Sequence, residues 1–170
     1  MNIREWNPAE GQAYQGDVSI VPVPKSITIA TDDEIRPVDG RIIVQTGEMT
    51  GHHHAITLAD PRAKHFRAER ETAVSDPFAG ASPGLRKKLS GGGKAKAGIA
   101  HLYRDARAAD AMVRKGILDR SDLVTGFLVV EGGPVVLRHE EHDGIRIPEG
   151  TYCIGRQVES VGAEERAVQD

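Results

Sequence analysis

Short runs of β-branched residues, each closed by glycine, proline or aspartate, recur near both ends of this 170-residue chain. Runs of about four to eight such residues are typical of β-strands and are too short for most helices. Residues 17–23 and 41–46 predict two strands, and Pro22 places the first of them at a sheet edge or at a strand end. The core is therefore expected to be mainly β-structure.

Two strand-turn-strand patterns follow in the C-terminal part. Gly132-Gly133 separates the apolar run 125–131 from the run 134–139, and this predicts a hairpin because a glycine pair supplies the positive φ angles of a tight turn. Residues 145–158 repeat the pattern around Pro148 and Gly150. Strands this short need more than one hairpin to be stable, so we expect a small, mainly β domain, either a β-barrel or a β-sandwich.

The middle of the chain has a different character. Residues 59–98 combine three prolines with scattered charges and a glycine triplet, which is typical of a long loop. Apolar residues then recur at helical spacing over 99–117 and predict one inserted helix. We therefore predict a single domain over residues 1–170, α+β overall, with a β core at about 16–58 and 124–158 and an insertion at about 59–122. The loop at 59–98 is expected to add few core residues and to contact solvent or other chains.

Composition excludes several classes of protein. The single cysteine, Cys153, cannot form a disulfide within the chain or a thiolate zinc site, and its strand position predicts a buried, inert thiol. This cysteine usage favours a reducing compartment, and no apolar stretch approaches the ~20 residues of a membrane span. We expect no membrane association and a cytoplasmic protein, or a virion protein if the chain is phage-derived. A net charge of -3 disfavours nucleic acid as a partner, because that binding depends on neutralising phosphates.

A basic segment surrounds the glycine triplet at 91–93. It lacks the order of a phosphate-binding loop, since Lys94 is followed by Ala95 and no serine or threonine is placed to hold magnesium. A solvated loop is the simplest interpretation, and the functional alternatives are contact with phosphate or nucleic acid and docking onto a larger acidic assembly. The candidate partner-contact residues are Arg86, Lys87, Lys88, Lys94 and Lys96.

Histidines supply the most specific chemical signal in the sequence. Five of the seven lie in two short clusters, 52–54 and 139–142. His52 and His54 are two apart and would share one face of a strand, whereas His139 and His142 are three apart and need a turn at Glu140-Glu141 to converge. We predict that the two clusters lie close together. Exposed or structurally hydrogen-bonded histidines, and acid-base catalysis without a metal, are the alternatives.

Such a cluster could bind a divalent transition metal. Imidazole and carboxylate ligands without thiolates suit zinc, manganese or iron, and protonation of imidazole would weaken binding below about pH 6.5. Glu140 is a further acidic candidate beside the second cluster. The predicted metal ligands are His52, His54, His139, His142, Glu48 and Glu141.

Several motifs, in this order, resemble those of a set of small uncharacterised bacterial and bacteriophage proteins. The shared patterns are GD, GExTGHxH, HEEH, PxGxY and QxE, found here at residues 16–17, 47–54, 139–142, 148–152 and 157–159. The resemblance covers the β portions and the tail, and not residues 59–122. It implies that His52, His54, His139 and His142 occupy motif positions, and it brings no established activity. A weaker resemblance links the His-x-His pair and the turn at 147–151 to cupin barrels.

Two functions remain open from the sequence. The first is a non-enzymatic structural or assembly protein, such as a bacteriophage capsid-associated cement or decoration protein, acting as a homo-oligomer or within a larger complex. The second is a metal-binding β-barrel protein with hydrolytic or oxygenase-like activity at the histidine cluster. The sequence favours the first and identifies no catalytic residue.

Overall fold

A computed structural model describes residues 2–46, 52–58, 68, 97–161 and 164–167. The described residues contain a short 3-10 turn at Pro8–Glu10 and one α-helix, α1, at Ala106–Arg114. No helix in this part of the chain is both long and apolar enough to cross a membrane. The strands β1 to β12, in chain order, are Ile3–Glu5, Ala13–Gln15, Val18–Pro22, Arg41–Thr46, His53–Thr57, Ile99–Tyr103, Val124–Glu131, Val135–Leu137, Gly144–Ile147, Gly150–Arg156, Val158–Val161 and Glu164–Ala167.

The strands form two main layers. A five-stranded central sheet has the order β2-β3-β10-β7-β6, and a second sheet has the order β1-β9-β8. The β4-β5 ribbon extends the second sheet, because Ala55 and Arg138 exchange two backbone hydrogen bonds of 2.9 Å between β5 and β8. β11 and β12 form a separate ribbon. The prediction of a mainly β fold with one helix is confirmed, and no sheet in the described ranges closes on itself, so the architecture is sandwich-like.

The central sheet is covered on both faces, which explains its continuous apolar runs. In β10, Tyr152 and Ile154 face the core between the two layers, and Cys153 between them faces the helix. The period of two in a strand requires this alternation. Helix α1 begins where Asp105 accepts the Ala108 N–H at 3.0 Å, and it packs Met112 and its neighbouring alanines on the outer face.

Residues 99–103 correct the predicted helix over 99–117. They form β6, which pairs with β7, and the helix spans only Ala106–Arg114. Ala100 and Leu102 point into the core, so the apolar residues here fit a period of two as well as a helical one. Pairing with β7 favours the strand over the helix at these residues. This part of the predicted insertion therefore belongs to the central sheet, while residues 59–67 and 69–96, with the five basic partner-contact candidates, lie outside the described residues.

The hairpin predicted around Gly132-Gly133 is also wrong in its pairing. Both strands exist, but β7 pairs with β6 and β10, whereas β8 pairs with β9. The two glycines, at φ 70° and 141°, carry the chain from the central sheet to the second sheet. The pattern predicted a turn correctly, but the pairing depends on which strands bury the adjoining faces.

We expect Cys153 to resist thiol reagents in the native protein. Its side chain is 1% exposed, and burial raises the pKa of the thiol to about 12, so almost none is thiolate at neutral pH. Labelling by Ellman's reagent at pH 7.5 should be at least about 100-fold slower than in denaturant, because reaction requires opening of the sheet. Equal rates with and without denaturant would contradict the burial of this residue.

Candidate metal centre

The two histidine clusters meet at one end of the second sheet. His54 lies on β5, His139 lies two residues after the end of β8, and His142 lies two residues before the start of β9, so the bridge between β5 and β8 brings them together. The ring centroids of His54 and His139 are 4.2 Å apart in a stacked arrangement, and those of His139 and His142 are 4.7 Å apart. A bend over residues 140–142 supplies the turn that the sequence required for His139 and His142 to converge.

His54 is completely buried, and both of its ring nitrogens face protein groups. Gln15 donates from Nε2 to the carbonyl oxygens of Leu137 and Asp143, at 3.3 and 2.7 Å, and these acceptors fix the orientation of its amide. Gln15 Oε1 consequently faces His54 Nδ1 at 2.9 Å. Because that oxygen can only accept, Nδ1 of His54 carries a proton.

The other ring nitrogen of His54 lies close to the carboxylate of Asp17. His54 Nε2 lies 3.0 Å from Asp17 Oδ1, and these side chains are 0% and 7% exposed. The two groups are therefore within ion-pair distance in a nearly water-free environment. His54 thus contacts Gln15 and Asp17 in the interior, while its ring stacks on that of His139.

The turn that presents Asp17 is held by the chain near its other end. Gly16 and Asp17 form the two-residue turn between β2 and β3, with Gly16 at φ 53°. Gln157 donates from its side chain to the Gly16 carbonyl at 2.8 Å and from its backbone to the Asp17 carbonyl at 2.7 Å. The GD and QxE motifs therefore join the histidine motifs in one structural unit.

Gln45 adds a further buried polar side chain to this unit. A register shift in β4 pairs Gln45 with His54, and paired residues of neighbouring strands project to the same face. Gln45 is 4% exposed, and its Nε2 donor has no hydrogen-bond acceptor among the described residues. Buried polar groups without a hydrogen-bond partner are rare in native proteins.

The geometry suited to a metal ion is provided by His52, His139 and Glu140. One ligand atom from each lies within 4.8 Å of the other two. The backbone N–H of His53 donates to Glu140 Oε2 at 3.1 Å and holds the pKa of that carboxyl below its ordinary value, and the nearby imidazoles of His139 and His52 act in the same direction. Glu140 therefore stays ionised, as a metal ligand must.

One existing contact would have to change if a metal ion bound to His139. Glu141 donates its backbone N–H to His139 Nδ1 at 3.2 Å, which leaves the proton of a neutral ring on Nε2. Coordination through either nitrogen would displace this hydrogen bond, at a cost of about 1 kcal/mol. Metal binding in small sites provides on the order of 10 kcal/mol, so the contact does not prevent it.

The remaining predicted ligands have different surroundings. His142 stacks on His139 and lies outside the three-ligand group. Glu141 is exposed, with Oε1 at 3.7 Å from His52 Nδ1. Glu48 lies outside the described residues.

Sequence reasoning did not assign Gln15, Asp17 or Gln45 to the site. Asp17 was visible only as part of a GD motif, and the two glutamines carried no spacing signal, because their roles depend on strand pairing. The PxGxY motif is structural: Tyr152 donates its hydroxyl to the Pro148 carbonyl at 3.0 Å, and a Cβ on Gly150 would lie 2.8 Å from that hydroxyl.

Fold and site together define a mainly β, sandwich-like protein with a cluster of histidines at one end of the second sheet. Buried polar side chains, Gln15, Asp17 and Gln45, lie beside His54 of this cluster. A family model described as a domain of unknown function (DUF8820) matches residues 14–81. The chain is similar to that family over a range that includes Gln15, Asp17, His52 and His54 and ends before His139. The match also extends past residue 58 into the predicted insertion. No curated protein matches the chain. No solved structure matches it.

Proposed function

We propose that this protein binds one divalent transition metal through His52, His139 and Glu140. The observation that carries the proposal is the approach of these three ligand atoms to within 4.8 Å of one another. Ligands around a tetrahedral ion at about 2.0–2.2 Å lie about 3.4 Å apart. The observed limit of 4.8 Å exceeds this by about 1.4 Å, and rotation of the exposed Glu140 side chain would reduce the difference.

The donor set supports an open centre that can accept a further ligand. Two imidazoles and one carboxylate are the protein ligands of several hydrolytic zinc sites and of non-haem iron oxygenases, and both leave positions for water or substrate. Structural zinc sites usually fill all four positions with protein ligands. The proposed activity is therefore hydrolytic with zinc or oxygenase-like with iron, and manganese suits the same oxygen and nitrogen donors.

The buried contacts around His54 support this assignment. Ligating histidines need a fixed ring orientation, which other side chains provide. His139 stacks on His54, and His54 is held by Gln15 and Asp17 at 2.9 and 3.0 Å. These contacts would hold the His139 ring in a fixed orientation before a metal ion binds.

Replacing His139 by alanine is expected to lower zinc affinity by more than about 100-fold. Losing an outer partner of a ligand costs about 10- to 100-fold, so losing a ligand itself should cost more. Glu140→Gln should weaken binding in the same direction, because it removes the charge. The measurement is zinc competition against a chromophoric chelator, together with metal analysis of purified protein by mass spectrometry.

His101→Ala is the matched control for this experiment. His101 lies on β6 with Nδ1 at 2.6 Å from Glu34, away from the three-ligand group, so its loss should leave zinc affinity unchanged. A wild-type protein that binds no zinc, manganese or iron, or a His139→Ala variant with wild-type affinity, would contradict the proposal.

An assembly role stays a prediction beside this one. Its main support, the basic segment 86–96, lies outside the described residues. The bacterial or bacteriophage origin that the motif resemblance implies also stays a prediction. Sedimentation analysis of the full chain against a variant with Arg86, Lys87, Lys88, Lys94 and Lys96 changed to glutamine would test self-assembly through that segment.

A further inference from the structure

A groove of about 190 Å³ opens directly beside the proposed metal ligands. It shares His139 and Glu140 with the metal centre, and strand residues of the second sheet form the rest of its lining. By volume it would hold about six waters, at ~30 Å³ each, which is room for a phosphate or a short carboxylate.

Strand pairing places an arginine on each side of this groove. Arg41 pairs with Thr57 across β4 and β5, and Arg138 bridges to Ala55 across β5 and β8. Thr57 and Ala55 are two apart on β5, so all four side chains project from the same outer face. Ala55, which is 4% exposed, lies between the two arginines and lines the groove with them.

The charges around the groove favour an anion. Among the described residues, its lining includes Arg41 and Arg138, both half-buried, and one acidic residue, Glu140. A divalent ion on Glu140 would neutralise that carboxylate and raise the positive charge further. Arginine binds carboxylate and phosphate oxygens through two parallel N–H donors, and partial burial strengthens such contacts.

We infer that the groove binds a small oxyanion group, carboxylate or phosphate, with Arg41 and Arg138 holding one end and the metal ion coordinating the other. The inference rests on the proposed metal site and deepens it by naming the class of ligand that would fill the open coordination position. Arg41 and Arg138 are the side chains that would contact that ligand directly.

Isothermal titration of the zinc-loaded full chain with inorganic phosphate and, separately, with malonate tests the inference. Arg41→Gln and Arg138→Gln should each weaken binding of the preferred anion by about tenfold or more. Zinc affinity, measured by chelator competition, should change less than about threefold in both variants. Arg114→Gln is the matched control, because Arg114 is exposed on α1, across the central sheet from the groove.

The outcomes separate the anion site from the metal site. Binding of phosphate alone, or of malonate alone, with loss in both groove variants supports the inference and identifies the ligand's head group. Zinc binding without anion binding, or anion binding that both groove variants retain, overturns the inference and leaves the metal proposal standing. If zinc does not bind, the metal proposal fails. Anion binding to the metal-free chain then tests whether Arg41 and Arg138 form an anion site. Loss of that binding in both groove variants supports it, and no binding overturns it.

Discussion

Replacing His54 by alanine is expected to lower the free energy of unfolding of the metal-free protein by about 3–5 kcal/mol. Breaking a buried ionic pair from one side has an effect of this size, because the remaining group stays buried without its partner. Here Asp17 Oδ1 would lose the imidazole nitrogen at 3.0 Å, and Gln15 Oε1 would lose the donor at 2.9 Å. A cavity under His139 adds to the loss.

Urea denaturation followed by circular dichroism provides the measurement. His101→Ala is again the control: its ring is partly exposed, and its removal should cost about 1 kcal/mol or less. Asp17→Asn should cost less than His54→Ala, since an amide donor can face Nε2. The double variant, with Asp17 and His54 both changed to alanine, should lose less than the sum of its single changes, because they share one interaction. A His54→Ala variant as stable as His101→Ala would show that the pair does not support the fold.

Replacing Gly98 by alanine is expected to destabilise the protein by about 3 kcal/mol or more. A Cβ at this position would lie 2.1 Å from the Gly133 carbonyl oxygen and 3.1 Å from that of Pro134. Both obstacles are backbone, so no side-chain rotation relieves the clash, and the crossing between the two sheets must move. The Gly98 N–H donates to the Pro134 carbonyl at 3.0 Å, so the same movement weakens that hydrogen bond.

Gly132→Ala is the matched control within the same crossing. Gly132 has a φ of 70°, and a Cβ added there would meet no other atom within 4 Å, so only backbone strain of about 1–2 kcal/mol is expected. Thermal unfolding of the two variants should rank Gly98→Ala well below Gly132→Ala. Equal melting temperatures would show that β6 and the crossing are not packed as described.

The histidine site was predictable in part. Alternation along a strand indicated that His52 and His54 share a face, and the motif spacing required a bend at 140–142, which the structure contains. The division of roles was not predictable. His54 is buried against Gln15 and Asp17 because both reach it from the β2-β3 turn, and no local pattern reports a contact across 37 or 39 residues.

Composition and local pattern by themselves determined a mainly β fold with one helix, a buried cysteine, most strand positions and the approach of two histidine clusters. These properties follow from periodicity, burial preference and turn chemistry, which act between near neighbours in the chain. Only the tertiary structure decided that residues 99–103 are a strand, that β7 and β8 belong to different sheets, and that Arg41 and Arg138 flank one groove. Each of these depends on which distant strand covers an exposed edge or face, and that choice is made by the free energy of the whole packed domain.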